Sequence, residues 1–366
     1  TVEAGSYYYS VVHPGSGEIP IGARDSVVNR GSIFLEGASD TYGVLTFALN
    51  PGVRNFDNSG TIVFNNHGNF AHVEVLRNSH YVNNSGQIYA ISDTGYARFL
   101  QTWDSSAQVV NSGLIAVYAP VNDGTRTAVG MFFANGGTVI NSATGRILVE
   151  GASAFAISIN ATATSSDGSN PVELTNAGLI EARSTGGIGS TAVGLSFGEV
   201  VNTGTITGNV NMGGGTTNVF NAVSGTTFPS GTLTAAASSL NTINLGAGGG
   251  TIGAVTNFDV MNVNGGWVLA APIVLADKIN INGLNNFLET SNASFLGSNT
   301  IVNNAALVFN NGAAGTYAGN MSGTGFVFLG SGINNPAGVA VTTFSGANTY
   351  TGGTFVFGGT LRVTGG

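Results

Sequence analysis

Cysteine is absent from this 366-residue sequence, and lysine occurs once, at Lys278. Without thiols there is no disulfide framework and no thiolate metal site. Secreted eukaryotic scaffolds often carry disulfides, so the lack of them fits a bacterial exported protein somewhat better. Charge of either sign is scarce. Asp, Glu, Lys and Arg make up 8% of the chain, against about 25% in ordinary soluble proteins. The formal net charge is −8 and the arginines are scattered. A chain with no basic run lacks the attraction that dominates nucleic-acid binding, so nucleic acid is excluded as a partner. Anionic lipid is excluded on the same ground. There is no apolar run of about 18 residues, the length a membrane-spanning helix needs. The first residues show no basic segment followed by an apolar one, so a secretory signal is expected to have been removed ahead of Thr1.

What is abundant is glycine, at 57 residues, with many Asn, Thr, Ser and Val. Long polar helices are built from Glu, Lys, Arg and Ala, which are not the residues favoured here. Val, Ile, Thr and Phe fill strands, and Gly and Asn punctuate turns. The composition predicts an all-β protein with many tight turns.

The strongest signal is an internal repeat. Asn-x-Gly-x-Ile occurs with Asn29 and Ile33, Asn58 and Ile62, Asn84 and Ile88, and Asn111 and Ile115. A copy lengthened by two residues has Asn141 and Ile147, and the series closes with Asn176 and Ile180, then Asn202 and Ile206. Successive Asn residues are 29, 26, 27, 30, 35 and 26 apart. An apolar residue stands two positions before each: Val27, Phe56, Val82, Val109, Val139, Leu174 and Val200. After the glycine, side chains alternate with period two, so Ile33 and Leu35 share one face while Ser32 and Phe34 share the other. The isoleucines are predicted to point inward. The glycine is predicted to supply a positive φ, which Asn also tolerates. A third short strand lies later in each unit, as in residues 72–76 and 128–133.

Three short strands in about 27 residues match one coil of a parallel β-helix, whose repeats bury their apolar faces only by stacking. Propeller blades run about 40–50 residues, too long for these units. The predicted fold is a single right-handed parallel β-helix with three short strands per coil and an N-terminal cap. The isoleucines and asparagines then form internal ladders at the strand spacing of about 4.8 Å, with amide-to-amide hydrogen bonds along the Asn stack.

Three regions are predicted. Residues 1–26, with Tyr7-Tyr8-Tyr9 and Pro14, lie outside the repeat and cap the first coil. Residues 27–217 form the regular coils. Residues 218–366 form shorter, less regular coils of roughly 20 residues, seen in Thr242-Ile-Asn-Leu245, Val260-Met-Asn-Val263 and Lys278-Ile-Asn-Ile281. Insertions at residues 119–126 and 160–171 leave the pattern, and loops on a rigid scaffold are where binding groups are usually placed.

Catalytic and metal-binding constellations are poorly represented. Asp93-Thr94-Gly95 has no second copy, and aspartic catalysis needs two carboxylates sharing a proton. His67, His72 and His80 cluster, with His72 and Glu74 expected on an outward face; His13 stands apart. Surface histidines without a carboxylate shell do not make a zinc site. The glycine runs at 213–215 and 246–250 lack the Gly-Lys-Ser/Thr and helix of a phosphate loop. A glycan-cleaving β-helix would need carboxylates converging in a groove, for which Asp104, Asp123, Glu150 and Asp167 are the candidates. No catalytic residue, metal ligand or cofactor is assigned, and none of these patterns points to an enzyme.

The segment from Phe344-Ser-Gly-Ala-Asn-Thr-Tyr350 through Gly358-Gly359-Thr360-Leu361-Arg-Val363 closely resembles the passenger-associated repeat of bacterial autotransporters. The resemblance implies a β-helical passenger exported by type V secretion and displayed at the outer membrane, with a translocating barrel that this chain does not contain. The Asn-Gly-Ile coils also resemble β-helical wall adhesins of yeasts, which usually carry cysteines that this chain lacks. Both families include surface adhesins, and autotransporters also include proteases and esterases, so the fold alone does not decide the activity. The expectation is a non-catalytic surface passenger acting in adhesion or self-association, its partner being a second copy, a surface protein or a glycan. The alternatives are the scaffold of an exported enzyme whose catalytic domain lies outside this chain, and a glycan-active β-helix.

Overall fold

A computed structural model describes residues 1–12, 26–37, 45–47, 55–66, 72–77, 79–93, 95–119, 127–160, 172–186, 189–214, 217–223, 228–237, 240–310, 312–330 and 340–365. Most of insertion 119–126, most of insertion 160–171, Thr94, Pro14, His13 and His67 lie outside the described residues. The chain divides into two compact units, residues 1–200 with 204–211, and residues 201–203 with 212–366. All the sheets are built from parallel strand pairs, and the one helical element among the described residues is the short 3-10 turn Ala293–Leu296. Both units are parallel β-helical coils.

In the first unit each coil contributes to three stacks. One is an eight-stranded sheet running Tyr7–Val12, Ser32–Gly37, Thr61–Asn66, Gln87–Ser92, Leu114–Ala119, Arg146–Gly151, Leu179–Ser184 and Thr205–Thr207. Its register puts Ile33 against Ile62, then Ile88, Ile115, Ile147, Ile180 and Ile206 in turn, all buried. A second stack runs from Ser26–Asn29 through Asn55–Asn58, Tyr81–Asn84, Gln108–Asn111 and Thr138–Asn141 to Val172–Asn176. It aligns Val27, Phe56, Val82, Val109, Val139 and Leu174, and all six are buried. The third stack holds Leu45–Phe47, His72–Arg77, Tyr96–Thr102, Thr127–Phe133, Ser153–Ile159 and Thr191–Leu195. Each fully buried aliphatic side chain contributes about 1.5–3 kcal/mol relative to exposure, and no single coil could bury this row by itself. Tyr7–Val12 is the first strand of the eight-stranded sheet, paired with Ser32–Gly37.

The second unit has shorter coils. Thr217–Ala222, Leu240–Leu245, Val255–Val263, Ile273–Ile281, Thr300–Asn303 and Met321–Ser322 stack in order. They align the buried Phe220, Ile243, Met261, Ile279, Ile301 and Met321. The coils shorten because a corner is absorbed into a strand. Val255–Val263 runs nine residues, and its pairing with Ile273–Ile281 shifts register on either side of Phe258. Asn257, at φ 60°, sits at that bend, the geometry of a β-bulge that turns a strand without ending it. A second stack runs from Gly250–Ile252 to Thr354–Val356, and a third holds Gly315–Tyr317, Val341–Phe344 and Thr360–Val363. Residues 344–363 thus supply the last described strands of this unit.

Candidate functional site

The repeated corner of the first unit is built from Asn and Gly. Each Asn closes a strand of the second stack with its side chain wholly or almost wholly buried. Asn29 Nδ2 donates to Asn58 Oδ1 at 2.7 Å, and Asn58 to Asn84, Asn84 to Asn111, Asn111 to Asn141 and Asn141 to Asn176 follow at 2.8 Å each. The same nitrogens also reach backbone carbonyls, as Asn84 does with Leu114 at 3.1 Å. The Asn29 Oδ1 atom, at the head of the ladder, accepts no hydrogen bond among the described residues. Asn202 is equally buried, and its carbonyl accepts the Val223 N–H at 3.1 Å.

The repeat glycines are not needed for positive φ. None of Gly31, Gly60, Gly86, Gly113, Gly145, Gly178 or Gly204 has one. They are needed because successive coils approach too closely for a side chain. A Cβ on Gly60 would lie 2.0 Å from the Gly31 carbonyl oxygen, and one on Gly86 or Gly113 would meet the preceding repeat glycine at the same distance. That carbonyl is fixed by a coil-to-coil bond, as in Thr61 N–H to Gly31 O at 2.9 Å. Nor do the ladder asparagines adopt left-handed turns; the only described non-glycine residues at positive φ are Asn257 and Asn285.

A second Asn ladder, which the sequence reading missed, lies on a half-buried face of the second unit. Asn244 Nδ2 donates to Asn221 Oδ1, Asn262 to Asn244 and Asn280 to Asn262, each at 2.8 Å. Its signal was present in the apolar-Asn-apolar triplets around Asn244, Asn262 and Asn280, which recur every 18 residues.

The charged residues of the first unit mostly satisfy one another. Glu74 was expected to face solvent, but it is fully buried. Arg77 Nη2 lies 2.6 Å from one of its oxygens and Arg98 Nη1 lies 3.8 Å from the other. In-register pairing of Glu74 with Arg98 on adjacent coils creates this cluster, and the Arg98 guanidinium also lies over the Tyr96 ring. A buried carboxylate needs such partners. The side chain of His72 and Asp123, Asp167 and His67 lie outside the described residues. Glu150 lies on the eight-stranded sheet 3.8 Å from Arg183, whereas Asp104 lies in the turn between Tyr96–Thr102 and Gln108–Asn111. These two carboxylates do not share a groove. Among the described residues no group of three or more His, Asp or Glu side chains is arranged to hold a metal ion. Asp93 and Gly95 sit in a turn, with Gly95 N–H donating to Ser92 Oγ, and the glycine run ending at Gly250 leads into the strand Gly250–Ile252.

One corner gathers polar groups in the turn that follows an exposed tryptophan. The Asp104 Oδ1 atom accepts the Ser106 N–H at 2.9 Å and hydroxyl at 2.7 Å, and Oδ2 lies 2.8 Å from His80 Nδ1. Partial burial pushes the Asp104 carboxyl up, but the bonds from Ser106 and His80 outweigh it and hold it below the usual range. Ser106 Oγ lies 3.2 Å from the same His80 nitrogen that faces Asp104. A Ser-His-Asp triad needs the serine and the carboxylate on opposite ring nitrogens, so this trio is not one. Trp103, the neighbouring residue, is 46% exposed. On the next coil, Asn135 Nδ2 donates to the Trp103 carbonyl at 2.7 Å. Gly136 and Gly137 follow at φ 98° and 149°. The Gly137 N–H donates to Glu173, a buried carboxyl whose Oε2 has no partner among the described residues. Burial pushes the Glu173 carboxyl up to about 7, and the Gly137 bond opposes this only in part.

The stacked strands, the buried amide ladder and the crowded glycine corner define a parallel β-helical repeat protein whose available chemistry lies on its outer faces and turns. Residues 1–154 match the family model for the hyphally regulated cell wall protein N-terminal region. The matched segment covers the ladder from Asn29 to Asn141 and the whole His80–Trp103–Asn135 corner. The similarity is to a cell-wall protein family and supports a place at the cell surface; nothing matched is an autotransporter. No curated protein and no solved structure matches the chain.

Proposed function

We propose that this chain is a non-catalytic surface module acting in adhesion or self-association. The observation that carries the reading is the match of residues 1–154 to a cell-wall protein family, on a chain whose coils spend their polar groups on internal ladders. Stacked coils present their outward side chains at strand spacing, so weak contacts along them add through multivalency. The low charge of the chain limits repulsion between like molecules.

Display in a bacterial outer membrane, with the last coils acting as a passenger-associated repeat, is the finer form of this reading. It rests on the resemblance of residues 344–363 alone. A wall-anchored form in a yeast-like cell is favoured by the family match. The experiment is expression of the chain on the surface of a non-adherent cell, followed by measurement of clumping and of binding to coated surfaces. Clumping or binding that depends on the displayed chain supports the proposal. Cells that stay dispersed and bind nothing, with the chain folded on their surface, overturn it.

A further inference from the structure

The corner in which Trp103 precedes Asp104, itself bonded to His80 and Ser106, joins an exposed indole to a polar cluster on one turn. Several large apolar side chains of the unit, Phe34, Phe132 and Phe155 among them, are half-buried on its outward faces, and among the described residues of the unit Trp103 is the large apolar side chain left strongly exposed. The polar groups next to it are held in place before any ligand arrives. Both Asp104 oxygens are engaged by Ser106 and His80, two bonds on Oδ1 and one on Oδ2, which fixes the carboxylate and leaves Oδ2 able to accept one more bond on a side chain that is a third exposed. The His80 ring is half exposed, and its Nε2 makes no hydrogen bond among the described residues. On the next coil Asn135 ties the Trp103 backbone to the neighbouring turn, so the indole is carried on a rigid corner. No lysine or arginine stands in the described turns at 79–80, 103–107 and 134–137, so these turns hold no permanent cation to pair with a phosphate or sulfate.

We infer that this corner binds a neutral sugar residue, the indole of Trp103 covering its C–H face while Asp104 and His80 Nε2 bond its hydroxyls. A pyranose has the two-faced character such a site needs: an apolar plane for an aromatic ring and a rim of hydroxyls for a few fixed polar groups. The inference deepens the adhesive reading by naming a glycan as the partner, and it rests on that reading.

The chain supplies its own reporter. Its other tryptophan, Trp267, is fully buried with Nε1 donating to the Gly246 carbonyl at 2.9 Å. Emission that acrylamide quenches readily therefore comes from Trp103. The test titrates the intact chain with neutral hexasaccharides of glucose, N-acetylglucosamine and mannose and measures quenching. At least one, at millimolar concentration, is expected to reduce quenching saturably by about two-fold or more, as stacking on an aromatic ring requires. Asp104→Ala and His80→Ala, each confirmed folded by an unchanged melting transition, are expected to raise the saturating concentration about ten-fold, the scale of one lost charge-assisted bond. Trp103→Ala is expected to abolish binding in calorimetry. Quenching unaffected by all three sugars, calorimetric binding that survives Trp103→Ala, or protection by a quaternary ammonium ion instead of a sugar would each overturn the inference. Cells displaying Trp103→Ala that clump as strongly as before would also overturn it while leaving the adhesive reading standing. Sugar binding by purified protein from a chain that never makes cells adhere would sink the adhesive reading and keep the site.

Discussion

At the scale of single residues, the ladder asparagines are not equivalent. Asn84→Ala removes the donor to Asn111 Oδ1 and leaves that buried oxygen orphaned, a cost of about 1–3 kcal/mol in addition to the lost bonds. Asn29→Ala only moves an existing orphan, because Asn29 Oδ1 is already unpartnered and Asn58 Oδ1 takes its place. We therefore expect chemical denaturation to show Asn84→Ala less stable than Asn29→Ala by about 1–2 kcal/mol. The glycines divide in the same way. Gly86→Ala puts a methyl group 2.0 Å from a backbone oxygen that cannot retreat, and about 3 kcal/mol or more of stability should be lost. Gly358→Ala meets nothing within 4 Å and has no positive φ, so its melting temperature should hardly move. Glu173 carries a pH prediction. In the unfolded chain it ionises at its ordinary value of 4.5, but in the fold it keeps its proton to about 7. Between those values the folded state binds the extra proton. Stability is therefore full at low pH, declines as pH rises through this window, and stays reduced above it. Glu173→Gln should match the parent at pH 4 and melt higher at pH 8, as read by thermal scans at both pH values.

At the scale of the element, the inward isoleucine row and the buried apolar position two residues before each Asn were legible in the sequence, because period-two alternation exposes one face of a strand to the core. The role of the glycine was not. Sequence shows that a side chain is excluded but does not distinguish a left-handed φ from a close approach by a neighbouring coil. The burial of Glu74 was hidden for a similar reason: its partner Arg98 lies 24 positions away and meets it only through register. The second Asn ladder was visible as a triplet but changed period from about 27 to 18 where the Asn257 bend merges two strands. A strand-level prediction follows from the register. Ile115→Ala, in the middle of the isoleucine row, should cost about 2–5 kcal/mol. The measurement is the denaturation midpoint, with an unchanged m-value showing that the fold itself persists.

At the scale of the whole molecule, the corner proposed to bind sugar was only half legible. His80 and Asp104 were each singled out in the sequence, on separate grounds, and nothing in their spacing joined them to each other or to Trp103. Coil stacking brings together residues 24 positions apart as readily as neighbours, so a site on a solenoid is read across coils and not along the chain. The same stacking can be tested directly, since the native chain has no cysteine to interfere. Gln87 pairs with Leu114 across adjacent coils, while Tyr118 pairs with Ile91 further along the same two strands. In-register strands stand about 4.8 Å apart, within disulfide reach, and a four-residue offset lies well outside it. Under mild oxidation, the double variant Gln87→Cys with Leu114→Cys should form an intramolecular disulfide, and Gln87→Cys with Tyr118→Cys should not. Equal cross-linking of both pairs, or of neither, would contradict parallel in-register coils.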